Sequence, residues 1–122
     1  MPQFVILRHM VPPGSDRADH WDVMFEIDDG LRTWAIDLPP DQPAPQPAQA
    51  LFDHRKKYLD FEGPLSGGRG VVQRWDAGDF AWLKQSPEEV LVELFGKKLR
   101  GRFAIRRIAP GAHGWQFGPA GE

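Results

Sequence analysis

Apolar residues recur at every second position through much of this chain. In residues 19–27 ("DHWDVMFEI") Trp21, Val23, Phe25 and Ile27 alternate with His20, Asp22, Met24 and Glu26. That is the period of a half-buried strand. Residues 3–8 read as a strand ending at His9. Asp28-Asp29-Gly30 reads as a hairpin turn with the glycine at positive φ, and residues 31–38 as the return strand. Residues 39–49 hold five prolines in eleven positions, so they read as an extended surface loop and not as an inner strand. Residues 71–75 and 80–84 read as two strands around a turn at 76–79. Residues 90–95 and 99–108 give two more, and 115–117 a last edge. Helical period is weak throughout; residues 86–89 read as one helical turn, with Ser86 as N-cap and Pro87 at the first position. Seven or eight short strands with frequent turns predict a mainly β fold, barrel or sandwich.

Composition narrows the class. A length of 122 residues suits a single domain over 1–122, large enough to bury a modest core. The absence of cysteine excludes disulfides and thiolate metal sites, so any metal must rely on histidine, carboxylate, carbonyl or water. Apolar runs fall short of a membrane span and the first residues lack a signal-peptide pattern, so a cytoplasmic protein with no membrane partner is expected. A net charge of −2 does not by itself announce nucleic acid.

The candidate chemistry starts from four histidines: His9, His20, His54 and His113. On a strand, His20 and Asp22 share a face about 7 Å apart at Cα, which suits two ligands of one ion. His9 ends a neighbouring strand. Two imidazoles and a carboxylate leave open positions, as catalytic Zn, Mn or non-haem Fe sites require; a solvated sheet face is the alternative. His54 and Tyr58 flank three cations in "HRKKY", a pattern for binding an anion such as phosphate or for a solvated basic loop. Arg69 lies between Gly68 and Gly70, where backbone can approach a ligand closely or simply turn. Residues 97–107 hold six basic residues in eleven. Arg100, Arg102 and Arg106 share one strand face there, able to track a phosphate backbone or to face water.

Taken in order, "FVILRH", "HWDVMFEIDDGLRTWAI", "DHRKKYLDFEG", "VVQRWDAG" and "KLRGRFAIRR" resemble the 3′-phosphoesterase domain of bacterial DNA ligase D over almost the whole chain. The resemblance implies a small closed antiparallel β-barrel of seven to eight strands with little helix. It implies a divalent metal, most often Mn2+, with Zn2+ or Co2+ as other options. It implies a DNA-repair hydrolase that removes 3′-phosphates and trims 3′-ribonucleotides at nucleic-acid ends. His9, His20 and Asp22 match the family's metal ligands, His54 its phosphate-contacting histidine and Tyr58 its active-site tyrosine. The chain also departs from the pattern. Met24 stands where the family has a phosphate-binding arginine. The loop between His9 and His20 has ten residues where five are usual. The glutamate and tyrosine of the family's P-E-G-x-Y-G are missing. Arg17 and Arg69 are the candidates to replace the lost arginine. A stand-alone monomer is expected, with separate repair ligase or polymerase proteins as partners. Three functions stay open: a 3′-end phosphoesterase, a catalytically weakened metal- or nucleic-acid-binding accessory module, and a small-molecule phosphoesterase.

Overall fold

Nine strands follow one another in the computed structural model, which describes residues 1–109 and 114–120. They are β1 (Gln3–Met10), β2 (His20–Ile27), β3 (Gly30–Ile36), β4 (Gln46–Ala50), β5 (Gly63–Pro64), β6 (Val71–Gln85), β7 (Glu89–Gly96), β8 (Arg100–Arg107) and β9 (Gly114–Pro119). Eight of them close a ring in the order β1-β2-β3-β4-β9-β8-β7-β6, and β6 pairs back to β1. All pairings are antiparallel. Closure leaves no bare edge in the ring; the short β5 adds to the outside of β6. Among the described residues no helix is long and apolar enough to cross a membrane. His113 lies outside the described residues.

Alternation decides what fills the barrel. Phe4, Ile6, Val23, Phe25, Trp34 and Ile36 point inward and meet Phe80, Leu94, Ile105 and Phe117 from the far wall. Burying each such side chain stabilises the fold by roughly 1.5–3 kcal/mol. The opposite face of β1 and β2 is also dry. Val5, Leu7, Met24, Leu31 and Val72 form a second cluster outside the wall, under Tyr58, Leu59, Phe61 and Leu65. This explains why "FVIL" is apolar without interruption: a strand buried on both faces has no polar side to show. The cover comprises 3-10 turns at Lys56–Leu59 and Ser66–Gly68, with β5 between them.

Several sequence expectations need correction. Part of the proline-rich segment is a barrel strand: β4 pairs with both β3 and β9. Pro47 is exposed and has a partner on the β9 side only, since pairing to β3 begins at Ala48. Such a place tolerates a residue without an N–H. The supposed turn at 76–79 lies within one continuous strand, β6, which pairs first with β1 and then with β7. Gly78 allows the bend, since a Cβ there would sit 2.4 Å from the Phe95 carbonyl oxygen. Residues 86–89 form no helix. Ser86 Oγ accepts from Glu88 N and Glu89 N and donates to the Glu89 carbonyl, so the cap serves a hairpin turn. β9 is no edge, for it lies between β4 and β8. Gly30 is not at positive φ; the loop is Asp28-Asp29, and Gly30 is small because the His54 carbonyl oxygen would lie 3.1 Å from a Cβ.

Candidate metal centre

His9 on β1 stands directly opposite His20 on β2, and Leu7 stands opposite Asp22. His9, His20 and Asp22 therefore share the outward face of this hairpin, near the edge of the cover. One ligand atom from each of the three lies within 4.8 Å of the other two. A common ion at about 2.0–2.2 Å from each atom needs separations of up to about 4.4 Å, so small side-chain rotations complete the set.

Backbone carbonyls orient each ring. His9 Nε2 donates to the Arg69 carbonyl at 2.8 Å, and His20 Nδ1 to the Ala18 carbonyl at 3.0 Å. A carbonyl only accepts, so these nitrogens carry the ring protons and the others present lone pairs. His20 Nε2 then faces Asp22 Oδ1 at 3.2 Å, and His9 Nδ1 faces Asp22 Oδ2 at 3.7 Å. Asp22 is only 4% exposed, and its Oδ1 has no hydrogen-bond partner among the described residues. Lone pairs meeting a buried carboxylate repel unless a proton or a cation lies between them. The donor set, two neutral imidazoles and one carboxylate, is that of an open divalent-metal site, so the residues present fit a metal.

Titration reflects the same geometry. Burial pushes the Asp22 carboxyl up, but with no metal bound a proton on the facing His20 or His9 nitrogen outweighs it and holds the carboxyl at about 2. The Asp22 contact raises the His9 pKa above its ordinary value, against partial burial and the Arg17 charge.

The centre opens into a cavity of about 60 Å³, lined by Leu7, Met24, Val72, His54, Tyr58 and Arg69 among others. That is the space of roughly two water molecules, enough for the edge of a phosphate and not for a nucleotide. His54 is placed by a backbone bridge to Leu31, and its Nδ1 donates to the Phe52 carbonyl at 2.8 Å. Its Nε2 is left for the cavity. The Tyr58 ring packs edge-on to His54, centroids 5.9 Å apart.

The structure thus brings together His9, His20, Asp22, His54, Tyr58, Met24 and Arg69. The Arg69 guanidinium is folded onto its own turn, donating to Ser66 O and Ser66 Oγ. Arg17 is exposed in the 11–19 loop, close enough to oppose a proton on His9. Arg100, Arg102 and Arg106 are not at this site: β8 lies across the barrel from β1 and β2. There Arg106 pairs with Glu89 and Arg100 donates to the Gly96 carbonyl. Sequence reasoning missed the orienting carbonyls of Ala18, Phe52 and Arg69. One signal for the last was present. Gly70 has φ +104 and brings its backbone so near β1 that a Cβ would meet Met10 O at 2.1 Å. Sequence reasoning also missed Asp19, which closes the long loop by accepting from Val11 N, the residue after β1, at 2.8 Å.

A model of the DNA ligase D 3′-phosphoesterase domain matches residues 14–107. The multifunctional non-homologous end joining DNA repair protein LigD of Mycobacterium tuberculosis is 33% identical over 113 residues, which cover 85% of this chain and 14% of that protein. The LigD proteins of Pseudomonas aeruginosa (33% over 114 residues, 84% of this chain) and Mycolicibacterium smegmatis (30% over 119 residues, 84% of this chain) are similar in the same way. The chain spans 13–15% of the length of these relatives.

Proposed function

The chain belongs to the DNA ligase D 3′-phosphoesterase domain family, and on that premise we propose that it is a metal-dependent phosphoesterase acting on 3′-phosphate or 3′-ribonucleotide ends in DNA repair. The observation that carries this reading is the convergence of His9 Nδ1, His20 Nε2 and the Asp22 carboxylate beside His54 and Tyr58. The first three residues hold a divalent cation, with Mn2+ the leading choice and Zn2+ or Co2+ the others. When bound, that cation supplies charge neutralisation at a phosphoryl oxygen and a more acidic bound water. His54 Nε2, held by its partner nitrogen's bond to Phe52, takes or returns a proton at the phosphate. The Tyr58 hydroxyl donates to a phosphoryl oxygen as charge builds there. Leu7, Met24 and Val72 keep water from the rear of the cavity.

One observation favours a second reading. Met24 is 1% exposed and lines the cavity where the family's arginine is expected, and the Arg69 guanidinium is held by Ser66. A catalytically weakened module that binds metal or ends without turning them over has this appearance. The deciding experiment incubates the purified chain with Mn2+, Zn2+ or Co2+ and primer–templates carrying a 3′-phosphate or a terminal ribonucleotide. Release of phosphate or of the terminal nucleoside, lost in His54→Ala, supports the enzyme. Stoichiometric metal binding with no product under any of the three metals leaves the accessory module.

A further inference from the structure

A second cavity, of about 450 Å³, opens at the other end of the barrel and is lined by Arg32, Gln49, Ala50, Arg107 and Trp115. Its place follows from register. His9 and His20 close one end of the β1–β2 hairpin, whereas Ile27 pairs with Gly30 at the other, and Arg32 is two residues beyond Gly30. Ala50 pairs with Trp34, and Arg107 with Trp115, at the same end. The centre of this mouth is a row of stacked rings and guanidiniums. Arg32 lies 4.6 Å over Trp34, Trp34 meets Trp115 edge-on at 5.6 Å, and Arg107 lies 4.6 Å over Trp115.

Two guanidiniums at one cavity repel each other, and aromatic faces compensate only in part. Arg32 is half-buried and forms no ion pair among the described residues. Burial lowers its pKa, the Asp53 charge opposes that fall, and Arg107 adds to it. Arg107 donates to the Pro87 carbonyl and lies 3.4 Å from Glu88. Glu88 and Asp53 balance the two charges in sum, leaving a nearly neutral mouth whose attraction for an anion comes from the Arg32 donors. That field suits a singly charged phosphodiester better than a polyphosphate. The volume lies in the usual range of small-ligand sites, about 300–1,000 Å³, so a sugar and base fit beside the phosphate, against the Gln49 amide.

We propose that this mouth binds a phosphodiester of the nucleic-acid strand whose end is processed at the metal centre, with Arg32 as the principal phosphate contact. The proposal rests on the reading of the chain as a nucleic-acid end-processing protein. His54 of the metal site is bridged to Leu31, the neighbour of Arg32 on β3. Leu31 faces outward beneath the cover that carries His54, and Arg32 faces the mouth. Residues 49–54 run from the mouth to His54. They pass Phe52, whose ring is 93% exposed and offers a face on which a base can stack.

The test measures binding of a short single-stranded DNA oligonucleotide in EDTA, so that no metal contributes, for the wild type, Arg32→Gln, Arg32→Lys, Arg107→Gln and Lys84→Gln. Circular dichroism and thermal melting confirm folding of each. Arg32→Gln is expected to weaken binding about tenfold and to flatten the log–log salt slope by about 0.7, the release expected for one phosphate of a single strand. Arg32→Lys restores part of the affinity, and Lys84→Gln, an exposed cation outside both sites, leaves it unchanged. Mononucleotide and inorganic phosphate compete only weakly if the ligand is a strand; competition as strong as the oligonucleotide's overturns the assignment to a strand. Equal binding by wild type, Arg32→Gln and Arg107→Gln overturns the site and leaves the phosphoesterase reading standing. Arg32-dependent binding together with no turnover sinks the phosphoesterase reading and keeps the site. No oligonucleotide binding by the wild type overturns the site outright.

Discussion

Asp22 and Asp76 are both 4% exposed, yet they are buried in opposite ways. The Asp76 carboxylate accepts from the backbone amides of Ala77, Lys97, Lys98 and Leu99 at 2.8–3.2 Å. It holds the bend of β6 to the tight connection between β7 and β8. Among the described residues Asp22 accepts no backbone amide; it faces two imidazole nitrogens, and its Oδ1 has no hydrogen-bond partner. Burying a carboxylate is costly in both places. At Asp76 the fold supplies the compensation. At Asp22 it comes from a proton or a cation shared with the facing imidazole nitrogens. The contrast separates a structural acid from a candidate functional one without reference to sequence motif.

The sharpest way to break this contrast is to remove each acid in turn. Asp76→Ala strands amide donors in a dry corner and is expected to cost about 3–5 kcal/mol of stability. Asp22→Ala, measured in EDTA, should cost no more than about 2 kcal/mol, the worth of its contact with the two imidazoles. Denaturant midpoints for the two variants check this, and equal losses would erase the distinction. The next effect is metal linkage. At one hundred times its dissociation constant, Mn2+ should stabilise the wild type by about 2.7 kcal/mol. It should stabilise Asp76→Asn to the same degree and His20→Ala not at all, as read by thermal melting. Tight binding that survives in both His20→Ala and Asp22→Ala would remove the metal assignment.

Met24→Arg probes what the functional acid works beside. A charged hydrogen bond to substrate phosphate, worth about 1.5–3 kcal/mol, corresponds to roughly one to two decades in rate. Turnover on 3′-phosphate ends is expected to rise by that much, with some loss of stability from overpacking under Tyr58. If Arg69 already reaches the phosphate by leaving Ser66, Arg69→Ala abolishes activity and Met24→Arg adds little.

The smallest effect is on pH. Asp22 is depressed from 3.8 to about 2, so its contribution is present above pH 3.8 and fades as pH falls toward 2. The shift corresponds to about 2 kcal/mol. His9 is raised, so its contribution is complete below its ordinary value of 6.5 and fades as pH rises through the elevated one. Both describe one contact and are not additive. Metal-free protein should therefore be most stable between about pH 4 and 6.5, and Asp22→Asn should flatten both limbs in urea titrations. Metal affinity should weaken as pH falls through the raised His9 value, since the proton and the cation compete for Nδ1.

What sequence revealed, and what it hid, follows from which forces are local. The period of β1, β2 and β3 is local, and so is the His20-x-Asp22 spacing; the ordered family stretches then joined His9, His54 and Tyr58 to them. β4 was hidden because proline content speaks about chain preference, whereas its strand state depends on having β9 beside it. The bend of β6 was hidden because Asp-Ala-Gly-Asp has turn chemistry, and only the amides of residues 97–99 reveal where Asp76 points. The outer cluster was hidden because a residue such as Met24 looks the same in sequence whether it faces water or a cover from thirty residues away. The orienting carbonyls have no residue identity, so only Gly70 hinted at one of them.

The pairing of β1 with β6 also fixes when the metal centre comes into being. His9 takes its orientation from the Arg69 carbonyl, sixty residues away along the chain, and that contact exists only once the two strands that seal the ring have met. Pairings of such long range pass a large loop-closure barrier and place a protein among the slower folders, in milliseconds to seconds. A complete ligand set is thus a late product of folding. Added metal should leave the refolding rate nearly unchanged and act instead by slowing escape from the native state. A metal held at this candidate centre would then work as a latch on a finished barrel, not as a seed for one.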